Sequence, residues 1–546
     1  MTEATFAATG TPAQVRRRPI ALATLCTVLF LTFLDTTIVS VALASIQTNL
    51  GAGVSALQWV VGAYALTFAS AMLIFGMIGD QFGRKKVMLI GVGVYCAGAL
   101  VCALALTIAP RHPGHPAGLA LAVLLTGRAV MGLGAAASEP GTLSMLRHIY
   151  TDYHSRNRAL GIWAAVSGLS LALGPVIGGA LVGAWDWRAI FFFDVTFGLL
   201  TFVATAVFLP ENSDPDPRRI DIAGGVFGAA GLAALIFAVI QAETAGFSSP
   251  VVIALLAVSA LGGAAFVWWE ARAARPLLDI RYLRVARFTT PNVVAFCAYF
   301  ATFAIFFFTA LFLVEVSGFN GYKIAEVFLP MMVLMIAGSL LAGRWASTIG
   351  VRWLLVGGCA VFAVGLVLTN AVISPSPAFF PLAASLALTG IGIGTCVVPI
   401  TSSVLAAVPA ERSGMAASAT NTSREVGAVI GVAVLGSIVN GRLHTELVAR
   451  LNQLKIAPYL QQIIINGVET GAAPSNGGTS SQAPTGTAKE VQEVLHAAYS
   501  AFQSGLHVAL YLSAALMAGV AILALVTLHG RPGDAEDDLA SAQPTT

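Results

Sequence analysis

Charged side chains deep inside long apolar segments are the residues of this sequence best suited to chemistry. Asp35 lies within the apolar segment 20–47, and Arg128 lies within the segment 118–145. Counted along helices at ~1.5 Å per residue, the two lie at comparable depths, so we expect them to pair. Charges in an apolar medium are costly and either pair or serve a function. The pair predicts a carboxylate that takes up and releases a proton, or a salt bridge that only locks two helices together.

Two further acidic residues lie in apolar segments. Glu139 follows Arg128 by about three helical turns, which predicts that the two share one stripe of a helix. Asp194 lies in the apolar segment 188–209. We expect both acids to take part in proton coupling with Asp35 and Arg128, and a structural role for Glu139 stays open.

A third set of residues is predicted to contribute to substrate binding or to coupling. The charged members sit near or within apolar segments, and the aromatic members belong to a phenylalanine-rich segment, 288–316, that could bind flat apolar ligands. Lipid contact or core packing is the alternative for the phenylalanines, and a position at the membrane interface is the alternative for the first acid. The set is Glu315, Phe303, Phe307, Arg424 and Glu425.

The segment Gly76–Lys86 combines glycines with charges and is predicted to form a conformational latch. Its glycines permit a tight turn and close backbone approach. Asp80 is expected to cap the following helix or to pair with Arg84. A basic loop without a latch would need neither the acid nor the second glycine. The residues concerned are Gly76, Asp80, Gly83, Arg84 and Lys85.

The apolar segment 158–184 carries glycines that would flatten one face of a helix. We expect this face to pack closely against a helix of the other half of the chain, and the proline to bend the helix. Ordinary packing of small residues is the alternative. The predicted motif consists of Gly168, Gly174, Pro175, Gly178 and Gly179.

The elements that must position these residues are membrane-spanning helices. Of the 546 residues, 57% are hydrophobic and 10% are charged, whereas soluble domains contain about 25% charged residues. A spanning helix needs ~20 mainly apolar residues. Fourteen such segments are present: 20–47, 57–78, 87–109, 118–145, 158–184, 188–209, 220–242, 250–270, 288–316, 323–346, 352–373, 377–400, 413–440 and 503–529. The sequence therefore predicts an all-α polytopic protein of the lipid bilayer.

The distribution of lysine and arginine predicts the orientation of these spans. With a cytoplasmic N-terminus, 20 of the 29 basic residues fall in cytoplasmic segments, seven fall outside, and two lie within spans. Both termini are thus expected in the cytoplasm. Residues 441–502 are predicted to form an extracytoplasmic loop with helical flanks and a disordered middle.

Two short motifs recur in the second half of the chain. Gly83 and Gly350 end similar motifs that are 267 residues apart, and Leu125–Gly127 resembles Leu388–Gly390 at an offset of 263. Parallel repeats predict two six-helix bundles with two helices inserted between them. The expected parts are an N-terminal tail (1–19), a first bundle (20–209), an inserted pair (210–287), a second bundle with the long loop (288–529) and a C-terminal tail (530–546).

The motifs resemble those of the major facilitator superfamily, specifically its 14-span drug:proton antiporters. The latch segment resembles the superfamily signature between spans two and three. Gly174-Pro175 with Gly178-Gly179 resembles the fifth-span antiporter signature, and Arg128 with two following glycines resembles the fourth-span coupling motif. The segment from Leu34 to Leu43 resembles the first-span motif of the 14-span group. The resemblance implies proton-coupling roles for Asp35 and Arg128, whereas Asp194 stands where the family usually has asparagine.

These observations predict a proton-coupled antiporter that exports small amphipathic compounds such as drugs, antibiotics or dyes. The expected location is the cytoplasmic membrane of a bacterium, and the chain is expected to act as a monomer without a cofactor. Scattered basic residues argue against nucleic acid as a partner, and no metal-ligand spacing is present. A lipid or metabolite transporter of the same fold is the alternative. A membrane-embedded enzyme or sensor is a more remote one, because neither clustered histidines nor a nucleophile–base arrangement is found.

Overall fold

The computed structural model describes residues 12–52, 54–109, 118–211, 221–273, 276–319, 321–409, 412–453, 461 and 487–528. Within these residues the secondary structure is helical, and 14 helices are long and apolar enough to cross a membrane. The number of spans predicted from the sequence is confirmed. The two predicted tails, apart from the first turns of the first helix, and the middle of the predicted 441–502 loop lie outside the described residues.

The first six helices form the N-terminal bundle. They are α1 (Pro12–Leu50), α2 (Val54–Phe82), α3 (Arg84–Ala103), α4 (Gly118–Ile149), α5 (Tyr153–Ala184) and α6 (Arg188–Phe208). A short turn of helix, Ala105–Ile108, follows α3. The inserted pair consists of α7 (Ile222–Ala245) and α8 (Pro250–Glu270).

The last six helices form the C-terminal bundle. A short 3₁₀ helix, Ile280–Arg284, leads into α9, which runs as Ala286–Phe303, a π-helical turn Ala304–Thr309 and a final segment Ala310–Glu315. The remaining helices are α10 (Gly321–Trp345), α11 (Val351–Val372), α12 (Phe379–Ala406), α13 (Ser413–Gln453) and α14 (Thr487–Thr527). Because α13 and α14 extend beyond the apolar segments, both ends of the predicted loop 441–502 are helical continuations of spans.

The two bundles meet through two helix pairs. Helix α5 packs against α10, and α2 packs against α13. The inserted helix α7 contacts both α2 and α13, whereas α8 packs mainly on α7 and exposes most of its side chains. Exposed apolar side chains are the expected surface of a helix whose solvent is lipid. The inserted pair therefore lies at one of the seams where the bundles join.

The internal repeat is visible in helix packing. Gly83 and Gly350 each precede a helix with positive φ, 107° and 89°, a conformation that favours glycine. The offset of 267 residues is thereby confirmed for α3 and α11. The second offset, 263, is wrong in register: Gly127 faces α3, whereas Gly390 faces α10. Contacts instead match Gly134 with Gly392, since each meets the backbone of the preceding helix, α3 or α11.

Candidate coupling site and latch

Asp35 of α1 and Arg128 of α4 form an ion pair inside the N-terminal bundle. One guanidinium nitrogen, Nη1, donates to both carboxylate oxygens of Asp35, at 2.6 and 2.8 Å. The two side chains are 0% and 1% exposed. Two opposite charges within hydrogen-bond distance offset part of each other's desolvation cost. The pairing that the depths of the two residues predicted is present.

Helix α2 fixes the orientation of the arginine. Arg128 Nε donates to the carbonyl oxygen of Val60 at 2.8 Å, and its guanidinium carbon lies 4.6 Å from the centre of the Tyr64 ring. The Tyr64 hydroxyl donates to the carbonyl of Thr32 on α1. A donor spent on α2 leaves fewer donors for Asp35, so the arginine joins α1, α2 and α4 in one network.

Glycines of α4 bring the helices close enough for this network. A Cβ at Gly132 would lie 2.1 Å from Thr67 Oγ1 on α2, and one at Gly134 would lie 2.4 Å from the Tyr95 backbone nitrogen on α3. Neither distance is tolerable for real atoms. The two glycines that follow Arg128 in the sequence are thus required for the helix spacing around it.

Asp194 of α6 lies beside the pair without joining it. The side chain is 0% exposed, and neither carboxylate oxygen has a hydrogen-bond partner among the described residues. The charges of Asp35 and Arg128 both act on it, and it is close to Tyr95. Two carboxyl groups and one guanidinium therefore share one buried region.

Glu139 is buried at the junction of the bundles, away from Arg128. Its carboxyl group interacts electrostatically with Glu425 and Arg424 of α13 and lies near Thr32. Its Oε2 atom has no hydrogen-bond partner among the described residues. The prediction that Glu139 works alongside Arg128 is therefore wrong in place, because the side chain belongs to a separate group of charges between the bundles.

Arg424 forms the centre of that second group. It is 1% exposed, and Nη2 donates to Thr401 Oγ1 at 2.8 Å. Its guanidinium carbon lies 5.6 Å from the ring centres of both Trp163 on α5 and Tyr299 on α9. An arginine held between aromatic faces from opposite bundles is stabilised by cation–π attraction.

The predicted latch connects the two bundles at one end of the molecule, termed here the latch end. Asp80 Oδ1 accepts from Arg84 Nε at 3.0 Å, and Asp80 also accepts from the backbone nitrogens of Gly414 and Met415 at 3.2 Å. Arg84 Nη2 donates to Ser413 Oγ at 2.9 Å. The expected Asp80–Arg84 pair is present. The expectation that Asp80 caps the following helix is wrong, because it caps the first turn of α13 in the other bundle.

Glycines let the latch close. A Cβ at Gly76 would collide with Ser418 on α13, and one at Gly83 would lie 2.6 Å from Glu211 Oε1. Lys85 is half-buried and Arg84 is buried. On α4, Arg147 donates to the carbonyls of Val408 and Pro409 at 2.9 and 3.3 Å. The latch end is thus closed by several hydrogen bonds across the bundles.

A second charged contact lies next to the latch. Asp279, in the linker between α8 and α9, accepts from Arg412 Nη1 at 2.7 Å and from Arg281 Nη2 at 2.8 Å. Burial raises the pKa of Asp279, but hydrogen bonds from the two arginines outweigh it and lower the pKa to about 2. Because Arg412 directly precedes α13, this ion pair ties the inserted segment to the latch end.

The glycine motif of α5 packs in two directions. Gly168 faces Met335 of α10 in the other bundle, as predicted. Gly174 and Gly178 instead face Thr37 and Ile38 of α1 in the same bundle, so for them the expected partner is wrong. Gly179 has nothing within 4 Å of its Cβ position, and the side chain of Pro175 lies outside the described part.

The phenylalanine-rich span gives a mixed result. Phe307 is 51% exposed, which fits a surface that contacts lipid. The π-helical turn Ala304–Thr309 lies in the same stretch, and such turns are often found at functional sites. The side chains of Phe303 and Glu315 lie outside the described part of the structure.

Several residues of the site carried no recognisable signal in the sequence. Tyr64, Tyr95, Trp163 and Tyr299 look like ordinary members of apolar segments, and only their contacts with charged groups distinguish them. Ser413 is one of many serines. An aromatic residue with a polar atom inside an apolar segment is the one feature that could have drawn attention to them.

The chain belongs to the Major Facilitator Superfamily, whose profile matches residues 25–432. It is 31% identical to the multidrug efflux pump LfrA of Mycolicibacterium smegmatis over 94% of this chain and 98% of that protein. It is 32% identical to the multidrug resistance protein Stp of Mycobacterium tuberculosis, covering 82% of this chain and 80% of Stp. The tetracenomycin C resistance and export protein of Streptomyces glaucescens is 29% identical, with 92% and 90% coverage. The protein is a membrane transporter and not an enzyme.

Solved structures share the fold at low sequence identity. The proton:xylose symporter XylE superposes with a TM-score of 0.57 at 13% identity, over 77% of this chain and 88% of XylE. The human organic anion transporter MFSD10 gives a TM-score of 0.56 at 14% identity, over 78% and 94%. Two six-helix bundles with an inserted pair of helices are therefore the architecture of this chain.

Proposed function

We propose that this protein is a proton-coupled antiporter that exports small amphipathic compounds from a bacterial cell. The observation that carries the proposal is the buried Asp35–Arg128 ion pair, with Asp194 beside it. A buried acid whose counter-charge can move is a means of converting proton binding into conformational change. Relatives of this chain are named as efflux pumps or resistance proteins, which supports export of drug-like molecules.

Protonation of Asp35 removes the negative charge that holds Arg128. The arginine then keeps its bonds to α2 but loses its tie to α1. Movement of α1 relative to α2 and α4 would be transmitted to the junction between the bundles, where Glu139 and Arg424 lie. We propose that substrates bind between the bundles, and that Glu425 and the aromatic faces there contribute to binding.

The latch end is proposed to face the cytoplasm. Most basic residues of the loops lie there, including Arg84, Arg147 and Arg412, as the positive-inside rule requires. With the latch closed, the described conformation is then shut toward the cytoplasm. Opening the latch would admit substrate, and closing it would commit the substrate to export. In this proposal both termini are cytoplasmic, and one chain with two bundles and an inserted pair is sufficient.

The test uses purified full-length protein in sealed vesicles with an imposed pH gradient. A panel of fluorescent cationic and neutral dyes is followed in wild type, in Asp35→Asn and in Asp186→Asn. Asp186 pairs with Arg188 in a half-exposed surface bridge, so its variant is a matched control. Gradient-driven dye movement in wild type and control, lost in Asp35→Asn, is the expected result.

Two results would count against the proposal. Dye movement that ignores the pH gradient in wild type would exclude proton coupling. A folded wild-type protein that moves no dye of the panel, but moves lipid or a polar metabolite, would replace drug export by one of those activities.

A further inference from the structure

Helices α3 and α6 of the N-terminal bundle enclose polar atoms that the Asp35–Arg128 pair does not engage. Five buried oxygen atoms there have no hydrogen-bond partner among the described residues. They are the two carboxylate oxygens of Asp194 and the hydroxyl oxygens of Tyr95, Thr201 and Thr205. All four side chains belong to residues that are at most 2% exposed. Such a concentration of unpaired buried oxygens is unusual, because buried polar groups normally find partners.

The three residues on α6 lie on one face of the helix. Asp194, Gly198, Thr201 and Thr205 follow one another at spacings of four, three and four residues, the spacing of a helical stripe. Gly198 lies between Asp194 and Thr201 and adds no side chain to the stripe. A Cβ at Gly198 would lie 2.5 Å from Cys96 Sγ on α3 and 3.6 Å from Leu31 on α1. The stripe is therefore enclosed by α1 and α3 within the bundle.

The two threonines differ from a third threonine on the same helix. Thr196 is exposed, and its hydroxyl donates to the carbonyl of Phe192 at 2.9 Å. This is the usual way in which a threonine in a helix satisfies its own hydroxyl. Thr201 and Thr205 are buried and do not form such a bond. Their hydroxyls are therefore free to bond with water, which commonly occupies polar sites inside proteins.

The stripe leads from the ion pair to the latch end. Asp194 interacts electrostatically with Asp35 and Arg128. Thr205 lies eleven residues further along, about 16 Å at the helical rise, and three residues before Phe208, where α6 ends. Just beyond, Glu211 lies next to the Gly83 position of the latch. One end of the stripe thus meets the coupling pair, and the other meets the surface of the latch end.

We propose that α1, α3 and α6 enclose a hydrated proton route inside the N-terminal bundle, in which Asp194 holds the proton and Thr201 and Thr205 relay it toward the latch end. The O–H bond at Asp35 breaks as one forms at Asp194, and water molecules pass the proton on past the two hydroxyls. Its use in transport rests on the function proposed above. The route runs within one bundle, so protons need not pass through the substrate cleft between the bundles.

Charge balance around Asp194 fits this role. The groups that act on it are Asp35 on α1, Tyr95, Cys96 and Cys102 on α3, and Arg128 on α4. Arg128 supplies one positive charge for two carboxyl groups. One proton added to the two carboxyls balances the site, and its transfer between them changes which carboxyl pairs with the arginine.

The experiment measures how fast the Asp194 carboxyl exchanges its proton with solvent. Infrared difference spectra of purified full-length protein in detergent follow the carboxylic-acid C=O band after a switch to D₂O. The Asp194 band is the one that disappears in Asp194→Asn. The test variant is Thr201→Val with Thr205→Val, which keeps side-chain shape and removes both hydroxyls. Thr196→Val on the exposed face of α6 is the matched control.

The proposal predicts exchange at least tenfold slower in the double variant and unchanged in the control. Equal rates in wild type and double variant would overturn the route, as would the lack of any carboxylic-acid band that depends on Asp194. Because the readout needs neither a gradient nor a substrate, slow exchange supports the route even if no dye is exported. Absence of dye export in wild type would overturn the proposed function alone.

Discussion

The two halves of this transporter share their helix packing and differ in where their charges lie. Gly134 and Gly392 hold equivalent helix pairs together in the two bundles. Six residues before each of them stands Arg128 in the N-terminal half and Leu386 in the C-terminal half. At the latch position, Asp80 corresponds to Ser347. The comparison indicates that close backbone packing is common to both halves, whereas charge-based coupling belongs to the first.

The sharpest way to break this comparison is to give the first half the residue of the second. Arg128→Leu leaves Asp35 buried without its partner, which should cost ~3–5 kcal/mol of stability. We expect a large fall in the thermal unfolding temperature in detergent. Adding Asp35→Asn removes the stranded charge and should restore most of the loss. Wild-type stability of the single variant would contradict the pairing.

The latch offers a second exchange between the halves. Asp80→Ser removes the acceptor for Arg84 and for the first turn of α13, so the bundles should separate more easily at the latch end. We expect at least a tenfold fall in the closed population, or ~1.4 kcal/mol, measured as the distance between spin labels on α2 and α13. Ser347→Asp is the reciprocal variant and should leave the distance unchanged. An equal response to both substitutions would contradict the asymmetry.

The shared packing should respond equally in both halves. A Cβ at Gly134 or at Gly392 would lie 2.4 Å from a backbone nitrogen of the neighbouring helix. Alanine at either position should destabilise the protein by ~1–3 kcal/mol, the range for overpacked cores. Gly179→Ala, with open space at its Cβ position, should be neutral. Unequal effects at the two equivalent glycines, read by thermal unfolding, would contradict the packing repeat.

The smallest effect is expected at the linker that joins the inserted pair to α9. The pKa of Asp279 is lowered to about 2, so its ion pairs stabilise the folded state above about pH 4 and are lost only as the pH falls toward 2. Its arginine partners are partly exposed, so Asp279→Asn should cost only ~1 kcal/mol. Thermal unfolding should show the same decrease at pH 5 and pH 8. A decrease that changes between these pH values would contradict the assignment.

The sequence was sufficient to predict the number of spans, the Asp35–Arg128 pair and the turn at Gly83. These depend on features that are rare in apolar segments, namely a charge or a glycine next to charges. Contacts across the bundles were not predictable. Asp80 caps α13 more than 330 residues away, and Trp163 meets Arg424 only after both bundles have folded. The register of α4 against α12 was misjudged because short apolar motifs match by chance.

The central claim is that Asp35 couples protons to transport, and separating exchange from uphill transport tests it most directly. Vesicles containing wild type or Asp35→Asn are loaded with dye, and exchange of labelled for unlabelled dye is measured without a gradient. Net transport driven by a pH gradient is measured in parallel. The proposal predicts that Asp35→Asn retains exchange and loses gradient-driven transport by at least a hundredfold. Uphill transport by this variant at wild-type rates would contradict it.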